Sequence, residues 1–314
     1  VSVIPAFYGE KIVMRMMTGE AQNLNLEDLG FSQKNMEILR RQIDKPFGMI
    51  LVVGPTGSGK TTTLYSVLNI LNTENVNIST IEDPIEYGVR RVNQTQVNTT
   101  AGYDFASGLR SLLRQDPDII MIGEIRDNET AQIAVRAALT GHLVLSTLHT
   151  NNASGVPPRL LDMEVESFLV ASTLNLVIAQ RLVRKICSDC IESYHLSPDR
   201  LLSLGKEFNL EKMMARFKSL NLVEPTSNTF ADLVFYRGAG CTRCHTTGYS
   251  GRIDVMELLE NTGPMQEAII RHASTNVIEK LAFEQGMVNI FEDGLQKALL
   301  GVTTIEEVLR IKRE

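Results

Sequence analysis

Apolar residues fall in short unbroken runs through the first half of the chain, separated by longer stretches in which they recur every three or four positions. Met49-Ile50-Leu51-Val52-Val53, Asp118-Ile119-Ile120-Met121-Ile122 and Leu143-Val144-Leu145-Ser146-Thr147-Leu148 are apolar enough to be central strands covered on both faces. Strands are expected at 49–53, 76–81, 118–122 and 143–148, and helices at 60–72, 104–115, 128–140 and about 165–182. This βα alternation is the pattern of a parallel sheet with crossover helices. Leu26, Leu29, Met36, Leu39 and Ile43 predict a further helix over 24–43, closed by Pro46. Phe168 to Ala179 is 12 residues long and carries Ser172, Thr173 and Asn175, so it reads as a buried helix rather than a bilayer span. Val1 to Met17 has strand-like stretches about a turn at Tyr8-Gly9-Glu10. Past Lys185 come cysteines, a polar helical segment at 198–220 and a loop at 224–231, and from Met265 the pattern is helical to the end.

The first run leads into Gly54-Pro55-Thr56-Gly57-Ser58-Gly59-Lys60-Thr61, and Thr62 onward follows at helical spacing. Strand, glycine-rich turn and helix are the context in which G-x-x-x-x-G-K-[ST] cradles phosphates. Glycines let the backbone wrap an anion, and the N–H groups at the helix start point at it. Lys60 supplies a point charge to the β and γ groups, and the Thr61 hydroxyl can ligate Mg²⁺. A plain glycine turn is the alternative, and both flanks argue against it. The chain is expected to bind a nucleoside triphosphate.

Hydrolysis needs acids as well. The run Asp118 to Ile122 is followed by Gly123-Glu124, which makes Glu124 the candidate magnesium-side carboxylate, although an acid at a strand end can also be merely solvated. Glu82-Asp83-Pro84-Ile85-Glu86 closes the preceding strand. In a doubly wound sheet the carboxyl ends of the strands face the ligand crevice, so both acidic groups are expected at the phosphates. Glu86 is the candidate base or water-positioner, and Glu82 and Asp83 either hold magnesium waters or cap the turn. His142 and His149 bracket the last strand, as γ-phosphate sensors or as structural residues.

A length of 314 residues, 43% hydrophobic and 22% charged, is ordinary for a globular protein of two or three units. The net charge of −6 excludes a protein whose whole surface embraces nucleic acid. The chain starts at Val1 rather than Met and shows no signal peptide, so it is expected to begin inside a longer protein and to be cytosolic. Its four cysteines form two pairs, Cys187-x-x-Cys190 and Cys241-x-x-Cys244. Two such knuckles supply the thiolates of a structural zinc site, although the gap between them is long. A competing reading is c-type haem attachment at Cys241-x-x-Cys244-His245. That leaves the first pair unexplained, and a reducing cytosol disfavours disulfides.

The segments TIEDPIEY (80–87), LRSLLRQDPDIIMIGEIRDNETAQIA (109–134) and TGHLVLSTLHTNNA (140–153), following the phosphate loop in this order, closely resemble the type II secretion and type IV pilus ATPases, or traffic ATPases. The likeness runs over nearly the whole chain. It implies a RecA-like P-loop NTPase core of the α/β class with a zinc-binding tetracysteine insertion and a helical C-terminal region. It implies ATP as the nucleotide, Glu86 as catalytic glutamate, Glu124 as the Walker B acid, and His142 and His149 as the His-box pair. The opening IPAFYGEKIVMR (4–15) resembles the end of the family's second N-terminal domain, which makes Arg15 a candidate to reach a neighbouring subunit's nucleotide. Arg110, Arg114, Arg126 and Arg252 resemble arginines that line the family's site. The boundaries that follow are 1–23 for the domain remnant, 24–44 for a linker helix, 45–185 for the core, 186–255 for the metal module and 256–314 for the helical region.

The resemblance further implies a homo-oligomer, a hexamer above all, because a trans arginine has meaning only at a subunit interface. It would lie peripheral to the inner membrane and act on a platform protein there to drive pilin or pseudopilin assembly. The tetracysteine module is typical of assembly and secretion members and absent from retraction members. The rivals are a retraction motor, a nucleic-acid translocating ring, and a zinc-stabilised scaffold without turnover. The acidic balance argues against nucleic acid as a partner.

Overall fold

The computed structural model describes residues 1–14, 25–219, 223 and 227–313. Arg15 and residues 224–226 of the expected loop therefore lie outside the described residues. An exposed hairpin of β1 (Ser2–Ala6) and β2 (Gly9–Val13) opens the chain. α1 spans Gln33–Ile43, shorter than expected, because Ser32 caps it by accepting from the Asn35 amide. Leu26 and Leu29 instead sit in a preceding turn, whose Leu29 carbonyl accepts from Asp254 N at 3.0 Å.

The central units follow in order: β3 (Gly48–Val53), α2 (Lys60–Leu71), β4 (Ile78–Glu82), β5 (Val92–Gln96), α3 (Phe105–Leu112), β6 (Ile119–Ile122), α4 (Asn128–Leu139) and β7 (Leu143–Leu148). Next come α5 (Val156–Asp162), α6 (Ser167–Thr173), β8 (Leu174–Ile186), β9 (Ile191–His195), α7 (Pro198–Glu207), α8 (Leu210–Ser219), β10 (Val234–Gly238) and β11 (Tyr249–Glu260). The chain ends in α9 (Gly263–Ile270), α10 (Thr275–Glu284), α11 (Ile290–Leu299) and α12 (Ile305–Arg313).

One sheet, in the order β11-β8-β3-β7-β6-β4-β5, organises the molecule. Neighbours pair in parallel except β11, which runs antiparallel to β8 at the edge. The alternation along β3 shows why its apolar run is continuous. Met49, Leu51 and Val53 enter one hydrophobic core, while Ile50 and Val52 enter the core on the opposite face.

The helix expected over 165–182 stops at Thr173, and the apolar residues beyond it form β8. Its side chains feed both faces, Leu176 and Ile178 into one core and Val177 and Ala179 into the other. Asn261 from beyond β11 closes the end of α6 by donating to the Ala171 and Leu174 carbonyls at 2.8 and 2.7 Å. The polar segment 198–220 resolves into α7 and α8. They share a third core with α11 and α12, with Phe217, Phe235, Leu295 and Val308 at its centre. Among the described residues no helix is long and apolar enough to cross a membrane.

Candidate active site

The sheet order sets the site. The carboxyl ends of β3, β7, β6 and β4 stand side by side, so the residues that follow them meet at one rim. After β3, the phosphate loop turns at Gly54 with φ +146°, and a Cβ there would lie 2.5 Å from the Gln180 carbonyl. Only glycine fits both that dihedral and that approach. α2 then starts at Lys60, whose Nζ donates to the Gly54 and Pro55 carbonyls at 2.9 and 3.0 Å. Burial holds the Lys60 ammonium below its usual range, with Glu124 acting in the opposite direction.

A cavity of about 780 Å³ opens over the loop. Thr56 to Gly59 line it from the loop and Lys60 to Thr62 from α2's start, Glu82, Asp83 and Glu86 from the β4 tip, Glu124 and Arg126 from the β6 tip, His149 from the β7 tip, and Arg252 from β11. Glu124 is mostly buried, and its Oε2 lies 3.1 Å from His149 Nε2. Its Oε1 pairs with Arg126, which also reaches toward Asp83 at 4.0 Å. Burial works against ionisation of Glu124, but the hydrogen bonds from Arg126 and His149 outweigh it and hold the carboxyl below its usual range. A carboxylate only accepts, so His149 Nε2 carries the proton in that contact.

Glu82, expected to bind magnesium water or to cap the turn, is buried at 2% exposure. It accepts from the Tyr65 hydroxyl, from Thr80 Oγ1 at 2.6 Å and from Gln94 Nε2 at 3.1 Å. It ties α2 to β4 and β5, a role with no signature in the sequence. Burial, and then the bond to Glu82, push the Tyr65 hydroxyl far above its usual range.

His142 is not brought to the cavity. It precedes β7, so a strand separates it from His149, about 23 Å at the usual rise per residue. Its Nδ1 lies 2.9 Å from the Ala137 carbonyl at the end of α4. Arg110 and Arg114 also lie away from the cavity, Arg110 paired with Glu129 and Arg114 donating to the Arg110 carbonyl at 2.9 Å. Of the four arginines, Arg126 and Arg252 line the cavity. Gln180 and Asp254, packed against the phosphate loop, were not among the candidate site residues of the sequence.

The four cysteines converge although 50 residues separate the pairs. Cys187–Cys241 and Cys190–Cys244 sulfurs are 3.8 Å apart and Cys241–Cys244 3.7 Å, all four lying within 4.8 Å of one another. A disulfide would need about 2.05 Å. A tetrahedron of sulfurs around zinc, with Zn–S near 2.3 Å, has edges of about 3.8 Å. The donor set therefore fits a tetrahedral thiophilic ion with no open position. It also accounts for the first cysteine pair, which haem attachment leaves idle. The Cys241 and Gly248 amides donate to Cys244 Sγ at 3.2 and 3.3 Å. Those amides, the Cys241 one first, hold the Cys244 thiol down at about 6.

Comparison with known proteins places the chain. The sequence profile of the family described as Type II/IV secretion system protein matches residues 1–310. Type II secretion system protein E of Xanthomonas campestris pv. campestris is 47% identical over 314 residues, all of this chain and 52% of that protein. Type IV pilus assembly ATPase PilB of Pseudomonas aeruginosa is 42% identical over 314 residues, all of this chain and 52% of that protein. The chain thus spans about half the length of these curated relatives. The crystal structure of the pilus retraction motor PilT with bound ADP superposes with a TM-score of 0.65 at 26% identity, covering 99% of this chain and 73% of that one. With a match over almost its entire length and relatives at 42% and 47% identity, this chain belongs to the Type II/IV secretion system protein family.

Proposed function

We propose that the protein is an ATP-hydrolysing motor that powers assembly of a type IV pilus or a type II secretion pseudopilus through an inner-membrane platform protein. The observation that carries the reading is the single cavity onto which Lys60, Glu86, Glu124 and His149 converge from one strand, helix or turn each. In this reading the loop amides and Lys60 hold the β and γ phosphates, Thr61 and Glu124 hold Mg²⁺, and Glu86 orients the attacking water. Bound magnesium would neutralise charge on the transferring phosphoryl group. His149 fixes the Glu124 carboxylate through the oxygen that Arg126 does not take. His142 has no part in this constellation.

Cys187, Cys190, Cys241 and Cys244 would hold zinc in a structural role, which favours assembly over retraction. The reading divides the chain into a core over 45–185, a metal module over 186–255 and a helical region over 256–314, preceded by 1–23 and a linker at 24–44. It further takes the working form to be a hexamer in which Arg15 serves the neighbouring subunit, peripheral to the inner membrane on its cytoplasmic side.

Phosphate release by the parent, Lys60→Ala, Glu86→Gln and Glu124→Gln tests the chemistry, each variant being expected to lose turnover. Parental rates in all three would refute the site, and a silent parent would leave a scaffold. Stimulation by a platform fragment supports the motor. Stimulation by DNA instead, at physiological salt, would favour a translocase.

A further inference from the structure

The phosphate loop does not stand alone behind its glycines. Gln180, in the middle of β8, has no solvent exposure, yet its amide is fully partnered. Its Nε2 donates to the Ser58 carbonyl at 2.7 Å and to Asp254 Oδ1 at 3.1 Å, and its Oε1 accepts from Thr63 Oγ1 at 2.9 Å. These partners fix which way the amide faces, because a reversed group would set its oxygen against a carbonyl and a carboxyl oxygen. Ser58 belongs to the loop and Thr63 to the first turn of α2, so one side chain grips both sides of the bend that a phosphate would occupy.

Gly59, between them, has φ +86°, and a Cβ there would lie 3.1 Å from Gln180 Nε2 and 3.2 Å from Asp254 Oδ1. The bend is thus seated directly on this pair. Asp254 is itself anchored from the C-terminal helices. Lys297 on α11 donates to the Asp254 carbonyl at 2.8 Å and to Asp293 Oδ2 at 2.6 Å, and the Asp254 amide donates to Leu29 O at 3.0 Å. Burial, with Asp293 adding to it and Lys297 and Arg252 opposing, pushes the Asp254 carboxyl up to about 8, so near neutrality it is chiefly a neutral acceptor.

We propose that Gln180, anchored by Asp254, is a positioning residue for the nucleotide site: it clamps the Ser58 carbonyl and the Thr63 hydroxyl so that the loop amides stay aimed at the β and γ phosphates. The proposal rests on the ATP-binding reading above, and it assigns a task to two residues that touch no nucleotide. Loss of the clamp weakens binding of the phosphates while leaving the acids at the other strand tips in place. KM and Kd therefore move, and kcat does not.

The test measures ADP affinity, KM and kcat for ATP, and the unfolding temperature, in the parent, Gln180→Glu, Thr63→Val, Asp254→Ala and Asp254→Asn. Gln180→Glu keeps the shape and replaces the donating Nε2 by an oxygen, so Kd for ADP should rise about tenfold or more. Thr63→Val removes one hydroxyl at constant volume and should raise Kd about three- to tenfold. Asp254→Ala should weaken binding about tenfold, and Asp254→Asn, which still presents an acceptor to Gln180, should recover to within about threefold of the parent. In each weakened variant kcat at saturating ATP stays within about twofold.

If Gln180→Glu does not fold, Thr63→Val decides. A folded Gln180→Glu or Thr63→Val that binds ADP as the parent does overturns the proposal, as does a fall in kcat with KM and Kd unchanged. Asp254→Asn as weak as Asp254→Ala overturns the anchoring. A parent that binds ADP without turnover removes the motor reading and leaves the clamp decided by Kd, whereas a parent that binds no nucleotide overturns both.

Discussion

His149 Nε2 and Glu124 Oε2 stand 3.1 Å apart across the tips of two adjacent strands, β7 and β6. That contact joins the candidate magnesium acid to the strand that lies between it and the phosphate loop. Arg126 takes the other carboxylate oxygen, so both oxygens of Glu124 are held. His149→Ala frees one oxygen of a largely buried carboxylate and removes a donor from the cavity wall. A loss of roughly 10–100-fold in kcat is expected, by the scale of single positioned donors. His142→Ala, at the far end of the same strand, should keep turnover within about twofold, because it gives up contacts with the Ala137 carbonyl and the Thr140 hydroxyl at the end of α4, away from the cavity. Steady-state phosphate release separates the two, and equal losses would overturn the distinction.

The difference between those histidines also shows what sequence spacing conveys. Two residues seven apart look like a pair on paper, yet a strand between them puts them at opposite ends of β7. β3, β6 and β7 were legible because each is a short apolar run buried on both faces. The phosphate loop was legible because its glycines meet a backbone demand that few other residues satisfy. β8 was not: Phe168 to Ala179 is apolar without a period, and such a run suits a buried helix as well as a central strand. Only the vacant place between β3 and β11 decides it. Gln180 and Asp254, and the tying role of Glu82, were invisible for a different reason. A buried polar residue is recognised by its partners, and those can lie far off along the chain, as Ser58 does from Gln180 at 122 residues.

The cysteine cluster predicts one zinc per chain by metal analysis and a fall in stability when it is stripped. Three of its sulfur separations, at 3.7–3.8 Å, are already those of a tetrahedral site, so little rearrangement would accompany binding. Cys244→Ser should lose the metal and lower the unfolding temperature by roughly 5–10 °C, since structural zinc contributes directly to folding. ADP affinity should stay within about twofold, because no cysteine lines the nucleotide cavity. A variant that keeps zinc and stability would exclude the site.

Glu307 docks α12 onto β8. It is buried, accepts from the Arg184 amide at 2.9 Å, and pairs with the Arg184 and Arg310 guanidinium groups at 2.7 and 3.0 Å. Burial opposes its ionisation, but these bonds outweigh burial and bring its carboxyl down to about 2 from an ordinary 4.5. A depressed acid contributes stability that is complete above the ordinary value and lost as pH falls toward the folded one. Glu307→Gln should therefore cost roughly 2–3 kcal/mol at pH 7, about 5 °C, since both arginines are half exposed and can rehydrate. The gap between parent and variant should close between about pH 4.5 and 2, and thermal unfolding over that range would show a constant gap if the ion cluster contributes nothing.

Asp254 behaves in the opposite sense. Its folded carboxyl, raised to about 8 from an ordinary 3.8 by burial, keeps a proton that the unfolded chain has already released. The folded state then binds more protons than the unfolded state across that interval, so this residue lowers stability progressively as pH rises through it. Lys297 and Arg252 oppose the penalty and Asp293, also buried and raised, adds to it, but all three are present in parent and variant alike. Asp254→Asn keeps the acceptor for Gln180 and has no proton to lose. It should therefore gain on the parent between pH 5 and pH 9, by roughly 5 °C in unfolding temperature. Parallel stability curves over that range would mean that Asp254 is ionised in the folded protein, and the clamp on the phosphate loop would then be held by a charge rather than by a neutral acceptor.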